Sequence, residues 1–298
     1  MRKKLRDLLN KTLVLKYKLP CASNGIDGIN ISTNEDDAYI CYSEKALSTI
    51  IYNSIIDYSF NEFEISSQEY QSLLVRALQT KLKYKPSDNQ DAKIKYGFYG
   101  EVLLHSILFN FYNTEPIISR GYFYNPLENS ETKGYDSYHI IENNKSVELW
   151  FGEVKFRNSL ASCAKSAIDG LDKVLSDEYL DTNIIAMVNH RNEIPKGSKV
   201  TEILDEWINN PQIKILDEIK KHNMKLVYPI LLVYPAYNIP YKDSIIKTIE
   251  HINSRYSKTS YKLSIEVELF FILVPIKETK KIKEDVISWI ESKRPLLS

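Results

Sequence analysis

The sequence predicts an α/β protein, a mixed sheet flanked by helices, on three observations. From residue 92 onwards, helix-spaced and strand-like stretches follow in the order helix, three strands, helix, strand. Two more strand-like runs, 225–235 and 262–275, are separated by a helical stretch near 242–254, and a last helix starts at about 279. The 298 residues are 43% hydrophobic, with 21 Tyr and 10 Phe, enough apolar material for one large folded domain with an N-terminal appendage.

Taken in order, residues 1–42 hold a basic start, a candidate strand TLVLKYKL, and GIDG and NEDD as turns. SEKALSTIIYNSIIDYSF (43–60) and SSQEYQSLLVRALQTKL (66–82) each combine a serine cap with apolar residues at helical spacing. KYKPSDNQD (83–91) is polar and contains Pro86, so the expected boundary divides a mainly helical region, 1–85, from the main domain, 86–298. AKIKYGFYGEVLLHSILFNFY (92–112) is apolar on most sides and predicts a buried helix. IISRGYFY (117–124), GYDSYHII (134–141) and VELWFGEVKF (147–156) predict strands. A helix over about 159–176, the strand NIIAMVNH (183–190) and helical segments across 200–222 come next, before the runs named above.

Composition narrows the function. Lys+Arg and Asp+Glu both number 39, so no global field draws the chain to nucleic acid or an anionic membrane, and any DNA contact must be local. Cys21, Cys41 and Cys163 are too scattered for a disulfide framework or a paired zinc site, which points to a reducing cytoplasm. Lysines interrupt the basic start before a signal-peptide core can form, and the longest apolar runs fall short of the ~20 residues that span a bilayer, so no membrane partner is expected. Neither a Walker A loop nor a dinucleotide glycine fingerprint is present, so no nucleotide cofactor is expected on this chain. The histidines, with no HExxH spacing, read as structural, and no Gly-x-Ser-x-Gly elbow supports a serine hydrolase.

The chemistry concentrates in one hairpin. If Asn144-Lys145 is its two-residue loop, partners sum to 289 and Asp136 faces Glu153, whereas a three-residue loop would send the two to opposite faces. Glu153 and Lys155, two apart on one strand, point to the same side. Glu-x-Lys occurs five times, but only Glu153-Val154-Lys155 lies in a strongly apolar strand with an acid at matching parity next door. Charges there need a partner or a metal, and the pattern leaves a structural ion pair and a metal site both open. Glu101 sits in a helix too apolar for a routine solvated glutamate, unless it shares a narrow polar stripe with His105. Basic clusters at Arg2, Lys3, Lys4 and Arg6, and at Lys277, Lys280, Lys281 and Lys283, read as solvated helix faces, and Lys165 as a surface residue.

A helix with Glu, a strand with Asp and a following strand with Glu-x-Lys resemble the PD-(D/E)xK nuclease superfamily. More narrowly, YGFYGEVLLHSIL, KGYDSYHI and VELWFGEVKFRNS, within 90–180, resemble the HamA family, the nuclease component of the Hachiman anti-phage system. The resemblance implies a restriction-endonuclease-like fold and a Mg²⁺-dependent DNA nuclease, with Mn²⁺ as a second option, restrained by a HamB-like helicase partner until invading DNA is sensed. Asp136 and Glu153 would match the metal-binding acids, Lys155 the catalytic lysine, and Glu101 the helix glutamate that orients a water or a second ion. Gly134-Tyr135 stands where the superfamily motif has its proline. A catalytically inactive module docking on a helicase or DNA, and a stand-alone restriction-type endonuclease, are the competing readings.

Overall fold

The computed structural model describes residues 2–19, 31–60, 62–117, 124–125, 130–131, 134–143, 146–187, 191, 194, 197–210, 212, 214–256 and 261–297. Its strands are β1 (Leu13–Leu19), β2 (Asp36–Cys41), β3 (Glu115–Pro116), β4 (Tyr124–Asn125), β5 (Ser130–Glu131), β6 (Ser137–Glu142), β7 (Val147–Phe156), β8 (Met224–Pro235) and β9 (Val267–Ile276). All but the β4–β5 pair join one mixed sheet of seven strands in the order β1-β2-β9-β8-β7-β6-β3. β2, β9, β8 and β7 run parallel to one another, while β1 attaches antiparallel to β2, β6 to β7 and β3 to β6.

The helices are α1 (Lys3–Thr12), α2 (Glu44–Ser59), α3 (Glu62–Ser66), α4 (Tyr70–Arg76), α5 (Gln90–Ile94), α6 (Phe98–Phe111), α7 (Leu160–Ile168), α8 (Leu171–Val174), α9 (Asp177–Met187), α10 (Lys199–Asn209), α11 (Ile215–Lys221), α12 (Tyr241–Asn253) and α13 (Thr279–Glu291). Parallel neighbours need crossovers, and α12 supplies the one between β8 and β9. One face of the sheet packs against α1, α2, α6 and α13 through residues such as Leu9, Ile51, Val102 and Ile287. The other packs against α7, α9, α10 and α12 through Ala164, Ile184, Leu204 and Ile249. The two central strands, β8 and β9, are therefore buried on both sides. No helix among the described residues is long and apolar enough to cross a membrane.

The expected mixed sheet between helices is the observed one, with local corrections. The basic start is a helix, because Leu5 and Leu9 fall one turn apart against the core. NEDD is not a turn: Asp36 and Asp37 open β2, and the Asp36 carboxylate accepts the Phe271 N–H of β9 at 2.8 Å. The first 85 residues thus add two strands as well as helices. The helix expected over 66–82 is α4 followed by a π-turn at Ala77–Lys81, and that over 92–112 breaks at Lys95–Gly97 into α5 and α6. The helix expected over 159–176 is divided by Gly170, whose φ of 100° suits glycine.

NIIAMVNH is helical as far as Met187, because Leu180, Ile184 and Met187 recur at helical spacing and pack together, overriding the strand preference of the isoleucines. Residues 188–190 lie outside the described residues. So do 118–123 of the strand expected at 117–124, where Ile117 donates its N–H to Tyr138.

Two buried histidines pin α6 to β6. His105 Nδ1 and His139 Nε2 share a hydrogen bond at 3.0 Å, and His139 Nδ1 meets Thr114 Oγ1 at 2.7 Å. Burial pushes the His105 imidazolium down to about 3 and His139 down as well, so both rings stay neutral.

Asp36 shows the opposite behaviour. Burial, only partly opposed by the Phe271 N–H, pushes its carboxyl up from 3.8 to about 7. A raised acid favours the folded state while protonated, so its contribution is complete below 3.8 and lost as pH climbs through about 7. Asp36→Asn keeps an acceptor for Phe271 and cannot ionise. Relative to wild type, the variant is expected to gain stability between pH 4 and pH 7.5, on the order of a few kcal/mol, measured by urea unfolding at both pH values; an unchanged difference would contradict the assignment.

Candidate active site

The hairpin of β6 and β7 pairs Ser137 with Gly152 and Glu142 with Val147, each pair summing to 289. Asn143 donates to Ser146 O at 3.1 Å, and Ser146 N–H returns to Asn143 Oδ1 at 2.9 Å, which frames the two-residue loop. Residues 144–145 themselves lie outside the described residues. The regular ladder ends at Ser137, and Asp136, just outside it, lies close enough to Glu153 for its charge to act on that carboxyl. Asp136 donates its own N–H to Gly152 O at 2.9 Å, and its Oδ2 accepts from Val154 N–H at 2.9 Å. Its side chain thus completes the ladder where the backbone of β6 turns away.

Phe151, Glu153 and Lys155 leave β7 on the side of α7 and α9. The Lys155 ammonium pairs with Glu153 Oε1, and these side chains are 17% and 19% exposed. Burial first, then the charge of Asp136, pushes the Glu153 carboxyl up to about 7 against the pull of Lys155 and Arg157. Three tyrosines pack on this face of the sheet: Tyr135 meets Tyr179 of α9 edge-on at 5.0 Å and Tyr228 of β8 at 5.9 Å. Burial and the fields of Glu153 and Asp136 push the Tyr179 phenol up to about 12 and Tyr228 up as well, so their hydroxyls stay protonated.

The place of the missing proline has its own packing. Tyr135 N–H donates to the Tyr138 hydroxyl at 2.9 Å, a bond proline could not make, and that hydroxyl donates to Asn183 Oδ1 at 2.6 Å. A Cβ on Gly134 would collide with the Tyr138 hydroxyl and lie 2.5 Å from Asn183 Oδ1.

Of the four residues the sequence singled out, Asp136, Glu153 and Lys155 come together. Glu101 stands in the layer on the other face of β7. Its helix rests there through Gly100, where a Cβ would lie 2.9 Å from Val154 Cγ2. Glu101 is 8% exposed, and its Oε2 accepts from the Tyr58 hydroxyl of α2 at 2.9 Å.

Two further basic residues bear on the site. Arg157, just past β7, acts on Glu153 by its charge, and its position two residues after Lys155 was the available sequence signal. Lys280 and Lys281 do face solvent, pairing with Glu284 and Asp285 one turn on. Lys283 does not: it is buried, and its ammonium donates to Phe156 O at 3.3 Å, because this side of α13 packs on the end of β7. Lys165 is exposed, as expected.

Among the described residues, Glu206, Glu218 and His222 bring three ligand atoms within 4.8 Å of one another. Lys221 already pairs with both glutamates there, at 3.5 and 2.8 Å, and supplies the positive charge.

In comparisons with known proteins, the HamA family model matches residues 9–290. No curated protein matches the sequence.

Gly134→Ala tests the packing beneath Asp136. It is expected to destabilise the fold by about 2 kcal/mol or more, with a smaller penalty in a Tyr138→Phe background, read from a double-mutant cycle in urea. Equal penalties in both backgrounds would show that the tyrosine hydroxyl is not the obstacle.

Proposed function

The chain belongs to the HamA family, a component of Hachiman anti-phage defence, and from that premise we propose that it is a Mg²⁺-dependent nuclease that hydrolyses DNA phosphodiesters under the control of a HamB-like helicase. The observation that carries the proposal is the meeting of Asp136, Glu153 and Lys155 where β6 parts from β7.

The donor set suits a hard cation. Two close carboxylates, shielded from water, repel one another, and the raised Glu153 carboxyl reflects that repulsion together with its burial. A divalent ion relieves both costs. The donors are carboxylate oxygens, as Mg²⁺ or Mn²⁺ prefers, and no soft ligand competes: burial pushes the Cys163 thiol up to about 12, and it donates to Lys155 O. Held by Asp136 and Glu153, the ion would supply charge neutralisation at the phosphate and a water acidified towards hydroxide.

This chain's own groups do the rest. Lys155 carries a positive charge beside the acids and stabilises the negative charge that gathers on the phosphoryl oxygens during attack. The protonated tyrosines limit bulk water and leave the local field strong. Glu101 is given no role at this site, because it lies in the α6 layer on the other face of β7, where its Oε2 accepts from Tyr58. Control by a helicase rests on family membership. In this proposal the partner would supply ATP hydrolysis, for which this sequence has no Walker A loop.

Purified chain is expected to degrade plasmid in Mg²⁺ and not in EDTA, with the helicase present where release from restraint is required. Glu153→Ala should abolish cleavage, and Lys155→Ala should slow it by about 10²–10³-fold, while circular dichroism shows the fold retained. Undiminished cutting by both variants would refute the assignment. Discrete fragments would instead favour a sequence-specific endonuclease, and no cutting under any condition a binding module.

A further inference from the structure

At the exit of β7, on the face opposite Glu153 and Lys155, lies a cavity of about 250 Å³ between the start of α6 and the first turns of α13. Val154 and Phe156 form part of its apolar wall, and its polar groups include Lys95, Arg157, Asn158 and Lys283, with no aspartate or glutamate among the lining residues. The Asn158 Oδ1 accepts from the Thr279 hydroxyl at 2.7 Å, tying α13 to the strand exit and leaving the amide NH₂ as the group for a ligand.

Lys283 is the unusual member. It is 7% exposed, and no carboxylate among the described residues pairs with it. Its ammonium lies 4.8 Å from the centre of the Phe156 ring and 5.6 Å from that of Tyr99, and one backbone carbonyl accepts from it. Its charged neighbour is Arg157, of like sign; burial and that guanidinium push the lysine down to about 8. A buried ammonium next to a second cation costs stability unless an anion compensates.

We propose that this cavity is a phosphate-binding pocket, in which Lys283, Arg157 and Lys95 seat the terminal phosphate of a nucleic-acid strand whose backbone passes round the exit of β7, by Arg157, towards Asp136 and Glu153. The inference builds on the nuclease reading and adds how the strand is engaged. Arg157 links the two places, since it lines the cavity and its charge also reaches Glu153. A terminal monoester suits the pocket better than an internal diester. It enters with one chain attached, so its free oxygens can reach a lysine that lies beneath the surface, and it brings a second negative charge for the second cation.

The test needs no cleavage. Full-length chain in EDTA is titrated into internally labelled oligonucleotides bearing a 5′-phosphate, a 3′-phosphate or hydroxyls at both ends, and binding is read by fluorescence anisotropy. One phosphorylated species is expected to bind about tenfold tighter than the hydroxyl form. Lys283→Met and Arg157→Gln should each erase most of that preference, with a much smaller fall in affinity for the hydroxyl oligonucleotide. Arg157 is exposed, so its variant keeps the test open if the buried substitution disturbs folding.

Equal affinity of the wild-type chain for all three oligonucleotides, or a preference that survives both substitutions, would overturn the proposal. So would a uniform loss across all three, which marks an internal phosphodiester contact. Inorganic phosphate titrated alone is the arm for a free anion: if it saturates the site as readily as the phosphorylated strand, the strand-end assignment falls. A chain that binds phosphorylated ends yet cuts nothing in Mg²⁺ would keep the pocket and lose the nuclease proposal.

Discussion

The hydrogen bond from Val154 N–H to the Asp136 carboxylate is the constraint on which the site depends. Where β6 turns away, β7 would otherwise leave a buried backbone donor without a partner, at a cost of about 1–3 kcal/mol. A side-chain acceptor solves this only if it starts from the residue just outside β6 and leans across the gap. Aspartate is short enough to do so while turning its other oxygen elsewhere. The same act brings a carboxylate near Glu153, so the termination of a strand pair and the assembly of an acidic pair are one event. Tyr135 and Gly134 hold the departing chain in place through the Tyr138 hydroxyl.

The sheet then sets the electrostatics. β8 runs alongside with Ile230 and Leu232 opposite Glu153 and Lys155, so the charged pair has apolar neighbours in the ladder and tyrosines above. Low polarizability raises the cost of the like-charged acids and strengthens the Lys155 contact at the same time. A fold selected for stability alone would replace such a pair with apolar side chains; keeping it is the local inconsistency expected of a functional site.

What the sequence disclosed depended on how local the determining physics is. The register of β6 and β7 was readable because a two-residue loop fixes parity, and parity alone decides whether Asp136 and Glu153 share a face. The long central strands were readable from their apolar runs. β2 was not, because its first two residues are acids that find partners in Phe271 and Tyr112, far away in sequence. α9 was misread because isoleucine pairs favour strands locally, although the spacing of Leu180, Ile184 and Met187 already carried the helical signal. The layer occupied by Glu101 was hidden for a different reason. Which face of a sheet a preceding helix covers is a matter of topology, and no residue within the helix encodes it. Lys283 looked solvated because its neighbours Lys280 and Lys281 are.

Charge order along the exit of β7 resolves the tension between a neutral chain and the anionic substrate proposed for it. The totals of 39 cationic and 39 acidic residues cancel, so no long-range attraction is available. Yet at the strand end the sign changes over a few residues, from Asp136 and Glu153 to Lys155, Arg157 and Lys283. Uncompensated acids would repel a phosphate backbone, whereas acids capped by a cation and followed by basic groups present a positive field confined to one place. Debye screening of about 8 Å at physiological salt hardly weakens a field generated within that distance. Affinity for a strand would then depend less on ionic strength than it does for proteins that track DNA with an extended basic surface, because few phosphates, and few released counterions, are involved.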